Sequence, residues 1–321
     1  MKQTTFESLA WKHKGKLTRR ERFLNEMDAV IPWGTLTKLI EPHYPKAGAG
    51  TQPMPLERML RIHFMQHWFN LSDPAMEDAL YDSESMRRFA AIELAEDTVP
   101  DESTILRFRH LLEEHQLSER IFGQIRSLLE HKRLLLKSGT IVDATIIAAP
   151  PSTKNAEGKR DPEMHQTKKG KDWHFGMKAH VGTDRRGIVH SLTTTAANVH
   201  DSTQMPQLLH GPERAVFGDQ AYWNESHRQS ARELGIRYRI NRRPSRGHPL
   251  TAAQRRVNRS RSGIRARGEH AFHVVKRLWG FSKVRYRGLA KNTARLFTAF
   301  ALANLYLLRR RLLPPQWTCP C

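Results

Sequence analysis

Three successive runs rich in β-branched residues, GTIVDATIIAA (139–149), HFGMKAHVGT (174–183) and GIVHSLTTTAA (187–197), follow a long stretch whose signals are all helical. That change of period, from 3.6 to 2, commits the chain to an α/β fold with helices first. In the helical part, Pro55 and Pro74 sit where first-turn prolines belong, and Leu117, Ile121, Ile125 and Leu128 recur at three and four. After the three strands, the pattern predicts a short helix from Asp201 to Leu209 and a strand ending at Asp219 (RAVFGDQAY). A helix from Asn224 to Leu234, a strand (IRYRI) and a helix carrying Glu269 follow. The order is βββαβαβα. The segment 241–263 is Arg-rich and holds Pro244, Gly247 and Pro249, so it reads as an irregular basic insertion. The expected organisation is a helical domain over 1–135, an α/β domain over 136–310 and a tail over 311–321, with no internal repeat.

A length of 321 residues, 39% hydrophobic and 26% charged, suits a globular protein of two domains. The only cysteines, Cys319 and Cys321, lie in a Pro-rich tail and supply neither a disulfide framework nor zinc-ligand spacing. The first residues lack the apolar run of a signal peptide, and the longest apolar stretch, Leu296 to Leu308, is too short to span a bilayer. It reads as a buried helix. The expectation is a cytoplasmic, nucleoid-associated protein with no membrane contact.

Charge is distributed very unevenly. Between Gly235 and Cys321 there are 21 Lys and Arg residues and one acid, Glu269, so this stretch carries +20 of the chain's net +21. Such a surface attracts polyanions and releases condensed counterions from DNA. A carboxylate within it repels phosphate unless a divalent cation lies between them. On the Glu269 helix, Ile264, Phe272, Val275 and Trp279 form an apolar stripe, while Arg265, Glu269, His273 and Lys276 fall in one column. A row of i,i+4 ion pairs is the alternative account of that column. A surface this rich in Arg is left mostly unbalanced, however, so a single retained carboxylate reads better as a metal ligand than as a neutralising charge.

Asp143 lies mid-strand between Val142 and the Ile146–Ile147 pair, and Asp219 ends another apolar run. A buried carboxylate needs compensation, which a metal, backbone amides or a neighbouring Arg can each supply. Two strand Asp and one helix Glu together offer hard oxygen ligands suited to Mg²⁺, with Mn²⁺ able to substitute. A metal pair of this kind activates water or a 3′-OH for in-line displacement at phosphorus. Arg265 and Lys276 are candidate phosphate grips, with Arg261, Arg267 and Lys178 as further DNA contacts.

In the N-terminal part, PLERMLRIHFMQHWF, SDPAMEDALYDSESMRRFA and DESTILRFRHLLEEHQL are compatible with a helix-turn-helix-like trio, with Arg107, Arg109 and His110 as readers. A plain helical bundle is the alternative. The arm from Lys12 to Arg22 is a second candidate for phosphate contacts. Asp201 and His200 read as structural, Asp201 as a helix cap. Trp173 and His174 could stack on a base, though burial is the stronger expectation for Trp173. The histidines are scattered without cysteines, so no zinc site is assigned.

These residues resemble something known. LIEPHYPKAG, MQHWFNLSD, ILRFRHLLE, VDATII, PSTKN, DPEMHQTKKGKDWHFGMKAH, TTAANVHD, GDQAYW, IRARGEH and GLAKN are similar to DDE transposases of the insertion-sequence-five family, within the wider insertion-sequence-four superfamily. The resemblance runs through most of the chain. It implies a ribonuclease-H-like catalytic core, a mixed sheet flanked by helices, with Asp143, Asp219 and Glu269 as the DDE triad. In the superfamily's Tyr-Arg-Glu-Lys signature, the Arg and Lys fall on Arg265 and Lys276, while Ser262 holds the Tyr position. It further implies binding of double-stranded DNA at terminal inverted repeats, assembly as at least a dimer, and metal-dependent cleavage and strand transfer without a covalent protein intermediate. A nuclease that cuts without joining, and a regulator descended from a transposase, are the alternatives.

Overall fold

The computed structural model describes residues 15–48, 52–154, 158–244 and 247–314. Helices lead: α1 (Arg19–Val30), α2 (Trp33–Ile40), α3 (Leu56–Phe69), α4 (Asp73–Asp82), α5 (Glu84–Phe89), α6 (Glu102–Glu114) and α7 (Leu117–His131). Their starts follow local chemistry. Thr18 and Glu21 close a capping box on α1, Ser72 caps α4 with Pro74 in its first turn, and Asp101 caps α6. In α7, Leu117, Ile121, Ile125 and Leu129 are buried, a stripe at the helical period.

The sheet comprises β1 (Thr140–Ala148), β2 (His165–Lys169), β3 (Asp172–Thr183), β4 (Val189–Ala196), β5 (Ala215–Gly218) and β6 (Arg237–Ile240). Its spatial order is β4–β3–β1–β5–β6, with β2 paired to the start of β3. β1, β3 and β4 are antiparallel neighbours, whereas β5 runs parallel to β1 and β6 parallel to β5. This is a mixed sheet, and it is flanked by helices α8 (Met205–Leu208), α9 (Glu225–Glu233), α10 (Ala252–Arg265), α11 (Glu269–His273) and α12 (Leu289–Leu312). A helical N-terminal region followed by such a sheet is the ribonuclease-H-like arrangement that the resemblance implies.

One apolar core cluster continues from the N-terminal helices to the sheet through α12, whose Leu296, Phe300, Leu302 and Leu305 are fully buried. Asn304 lies inside that helix, and its amide both accepts from Val189 N (2.9 Å) and donates to Val189 O (2.7 Å). A buried polar group is thereby satisfied by the β4 backbone. Among the described residues, no helix is long and apolar enough to cross a membrane.

Three elements differ from the sequence expectation. The β2 strand was absent from it, because HQTKK has no apolar alternation; the tight turn at Gly170 (φ +65°) supplies the pairing instead. The segment 241–263 is largely ordered as α10, not irregular: Pro249 precedes the Thr251 cap, Gln254 completes a capping box, and Arg is a good helix former. The helix carrying Glu269 is also broken: α10 ends at Arg265, a tight turn spans Ala266–Gly268, α11 follows, and Val274–Leu278 widens into a π-helical turn.

Candidate active site

Asp143 occupies the middle of β1, opposite Val181 of β3, and half-buried. Its Oδ1 accepts from Ala144 N (2.9 Å). Burial pushes its carboxyl up to about 6, with Asp219 and Glu269 adding to the rise and Arg265 and the Ala144 bond opposing it. Asp219 follows β5, where its Oδ1 caps the next turn through Ala221 N (2.9 Å). Glu269 opens α11. A cleft of about 910 Å³ brings these three carboxylates together with Arg265, Lys276, Lys178 and Asp201.

Arg265 lies between two of the acids, with Nη1 3.6 Å from Asp219 Oδ2 and Nη2 3.6 Å from Glu269 Oε1. Lys276 is tethered to β1, donating to Thr145 Oγ1 (3.0 Å) and Ile146 O (2.8 Å). Burial, Lys169 and Arg277 lower its pKa. Two of its three ammonium protons are thus used, leaving one for a substrate oxygen.

The turn before Glu269 is wedged against the sheet. Gly187 has φ +87°, and a Cβ there would lie 2.2 Å from Arg267 O; buried Gly268 packs on Ile141 and Thr183. At Gly187 only a glycine permits that approach. Asp184 shapes the Gly187 turn, accepting from Arg186 N (2.8 Å) and Ile188 N (2.9 Å), and from Leu136 N (2.9 Å).

Among the described residues, no three His, Cys, Asp or Glu side chains stand in a grouping that could by itself hold a metal ion. Yet the donor chemistry suits a hard cation: the three carboxylates share a cleft that no sulfur lines, and Asp143 is raised chiefly by burial, with smaller additions from Asp219 and Glu269. Mg²⁺ takes only one or two carboxylates, completing its shell with water and substrate phosphate. The residues fit an ion that arrives with phosphate, not one caged by protein alone.

Other expected contacts fare differently. Arg109, expected to read DNA, faces the protein interior instead: it is 7% exposed, pairs with Asp73 (3.1 Å) and Glu113 (3.0 Å), and stacks on Tyr286 at 4.1 Å. On the amphipathic α6 it falls on the buried face, whereas Arg107 and His110 are exposed. Arg261 and Arg267 do not line the cleft; their Nη1 atoms donate to Ile240 O (2.6 Å) and Arg185 O (3.2 Å). Lys178 does line it, paired with Asp201 Oδ1 at 2.8 Å and bonded to Val199 O at 2.8 Å. Ser262 accepts from Asn241 Nδ2 (3.0 Å), joining α10 to the end of β6.

Asp201 is not the cap that the sequence suggests; His200 caps that turn, accepting from Ser202 N (3.3 Å), which frees Asp201 for the cleft. Trp173 is not buried but 67% exposed, at the β2–β3 hairpin, with Lys168 Nζ 5.9 Å from its ring. Sequence reasoning also missed Tyr222. Its ring is buried behind the acids and its hydroxyl lacks a hydrogen-bond partner among the described residues. Burial, then Asp201, Asp143 and Asp219, raise its pKa well above the usual value. The arm from Lys12 begins outside the described residues and is described only from Gly15, and Cys319 and Cys321 lie wholly outside them.

A helical N-terminal region followed by a mixed sheet of this order, with Asp143 on its first strand and Asp219 just after its fifth, is the ribonuclease-H-like arrangement of DDE domains. The family model described as the transposase DDE domain matches residues 135–305, more than half of the chain, and one described as a transposase domain matches 12–111. The chain belongs to the DDE-domain transposases, enzymes of the polynucleotidyl-transferase type.

Proposed function

We propose that this transposase serves an insertion sequence of the insertion-sequence-five family, binds its terminal inverted repeats, and catalyses their metal-dependent cleavage and transfer to target DNA. Asp143, Asp219 and Glu269 act as the catalytic acids, in a domain spanning 136–310, and residues 1–135 contribute DNA binding. The observation that carries this reading is the shared cleft, where these three acids open beside Arg265 and Lys276.

The three carboxylates would hold Mg²⁺ or Mn²⁺, which supplies charge neutralisation at phosphate and acidifies a nucleophilic hydroxyl. Lys276, fixed by Thr145 and Ile146, offers its remaining proton to a nonbridging phosphate oxygen. Arg265 exchanges its carboxylate contacts for a bidentate grip on the same phosphate. Water attacks phosphorus, the bond to the 3′ oxygen breaks, and that oxygen leaves as a 3′-OH. In joining, the 3′-OH attacks a target phosphodiester and displaces the target's own 3′ oxygen. Two ends cut together require at least a dimer on DNA.

The test is Mg²⁺-dependent cleavage and joining of a fragment bearing the element's terminal repeat, by the native chain and by Asp143→Asn, Asp219→Asn and Glu269→Gln. Each variant should lose more than about 100-fold in rate, beyond the 10–100-fold typical of groups one layer removed from a metal, while end binding persists. Cleavage without joining would indicate a nuclease. Binding without either would indicate a regulator.

A further inference from the structure

Helix α10 is held by little of its own chain for its length. Its fourteen residues include five arginines (255, 256, 259, 261 and 265), no acid, and no buried residue. Helices in folded proteins owe most of their stability to a packed apolar face, which in α10 is reduced to the half-buried Ile264 against Ile141, Ala215 and Phe217. Polar tethers hold one side: Asn258 exchanges two 3.0 Å bonds with the Arg242 backbone, Ser262 meets Asn241, and Arg261 meets Ile240 O. These positions, with Arg265, share one helical face.

The opposite face carries Ala252, Ala253, Arg256, Arg259, Ser260 and Gly263, all exposed. It is slender and cationic, with two long arginines rising from small residues. An α-helix with side chains is about 10–12 Å across, and the major groove of B-DNA is about 12 Å wide. Arg is the side chain best matched to the O6/N7 edge of guanine there. The helix also leads to the chemistry. Its last residue is Arg265, which touches Asp219 and Glu269, and a groove of about 260 Å³ lined by Asp219, Asn241, Arg242, Asn258 and Arg265 runs beside it.

We propose that α10 docks in the major groove of duplex DNA through its exposed face, with Arg256 and Arg259 on base edges. This assigns groove contact to the catalytic domain, where the N-terminal α6 has Arg109 committed to its own core. The inference rests on the reading of the chain as a transposase acting on DNA.

The experiment measures binding of the full chain to a fluorescent terminal-repeat duplex, for the native protein and Arg256→Ala/Arg259→Ala, with metal-dependent cleavage assayed in parallel. Loss of two base contacts at about tenfold each should weaken binding about 100-fold. Methylation of guanine N7, which faces the major groove, should impair binding by the native chain and not by the double variant. A photo-crosslinking side chain placed at Ser260 should capture the duplex. Unchanged affinity in the double variant, no N7 interference, or equal competition by single-stranded DNA would overturn the proposal. Groove contact without cleavage would leave α10's role standing and remove the transposition chemistry; cleavage with an unaffected double variant would do the reverse. Absence of duplex binding would overturn both.

Discussion

Arg265 and Glu269, one helical turn apart, face each other at 3.6 Å, and the same guanidinium lies 3.6 Å from Asp219. The arginine therefore stands where a divalent cation would neutralise the same acids, and it also lowers the pKa of Asp143. Removing it in Arg265→Gln leaves three carboxylates without a shared cation. These pairs are partly solvated, so the loss in EDTA should be small, about 0–1 kcal/mol. Mg²⁺ should then raise the melting temperature of the variant more than that of the native chain, because ligand binding to the folded state stabilises by mass action. An equal or smaller rise would show that Arg265 and the ion do not share an electrostatic place.

Arg109 makes the opposite kind of prediction. Its guanidinium is buried between Asp73 and Glu113, and Arg109→Ala leaves both acids without their partner. Breaking a buried pair from one side costs about 3–5 kcal/mol. Urea unfolding should report that loss, while the salt dependence of DNA binding stays unchanged. For exposed Arg107, Arg107→Ala should leave stability within about 0.5 kcal/mol of the native value. A variant at Arg109 that unfolds normally but binds DNA poorly would restore its role as a reader.

The contrast between Arg107 and Arg109 illustrates what a sequence makes legible. Hydrophobic period located five of the six strands and α7 but not β2, whose HQTKK lacks apolar alternation, and an acid in an apolar strand drew attention to Asp143. Arg109 misled because charge alone argues for solvent, and its partner Asp73 is 36 residues distant. Asp201 misled for a related reason: in VHDS either His200 or Asp201 can cap, and tertiary pairing with Lys178 decides. For α10, the helical propensity of Arg was outweighed in the sequence reading by Pro244, Gly247 and Pro249, all of which precede its cap. Tyr222 carried no local signal, since only the fold sets its hydroxyl behind three acids.

Acid should destabilise the protein. Burial pushes His63 and His190 down to about 3 and His180 to about 4, so each is neutral in the folded chain and readily protonated once unfolded. Their contribution is complete above about pH 6.5 and is lost as pH falls from there, through about 4 for His180 and about 3 for His63 and His190. Asp143, raised to about 6, acts in the opposite sense: its favourable share is present below the ordinary carboxylate pKa and is lost as pH rises through 6. His67, lowered by burial in the same way, joins the histidines, and Asp184, raised by burial, joins Asp143; four histidines outweigh two aspartates. The urea midpoint should therefore fall between pH 6.5 and 4.5, and His190→Gln should flatten that fall by up to about 1.4 kcal/mol per pH unit. An unchanged slope would mean that His190 titrates equally in both states.

Gly187 and Arg267 tie the sheet to the segment that delivers Glu269. A Cβ at Gly187 would meet Arg267 O at 2.2 Å, two residues before the acid, and the glycine's φ of +87° disfavours other residues in any case. Gly211 separates the two effects: its φ is +103°, with nothing within 4 Å of a Cβ. Both Gly187→Ala and Gly211→Ala should lose about 1–3 kcal/mol through backbone strain. Only Gly187→Ala should also slow cleavage, because relief of the clash moves the turn that carries Glu269, and a displacement near 1 Å at a catalytic group can cost about 100-fold. Unfolding and cleavage rates measured on the two variants would test this. Equal cleavage by both would mean that the Gly187 contact does not position Glu269.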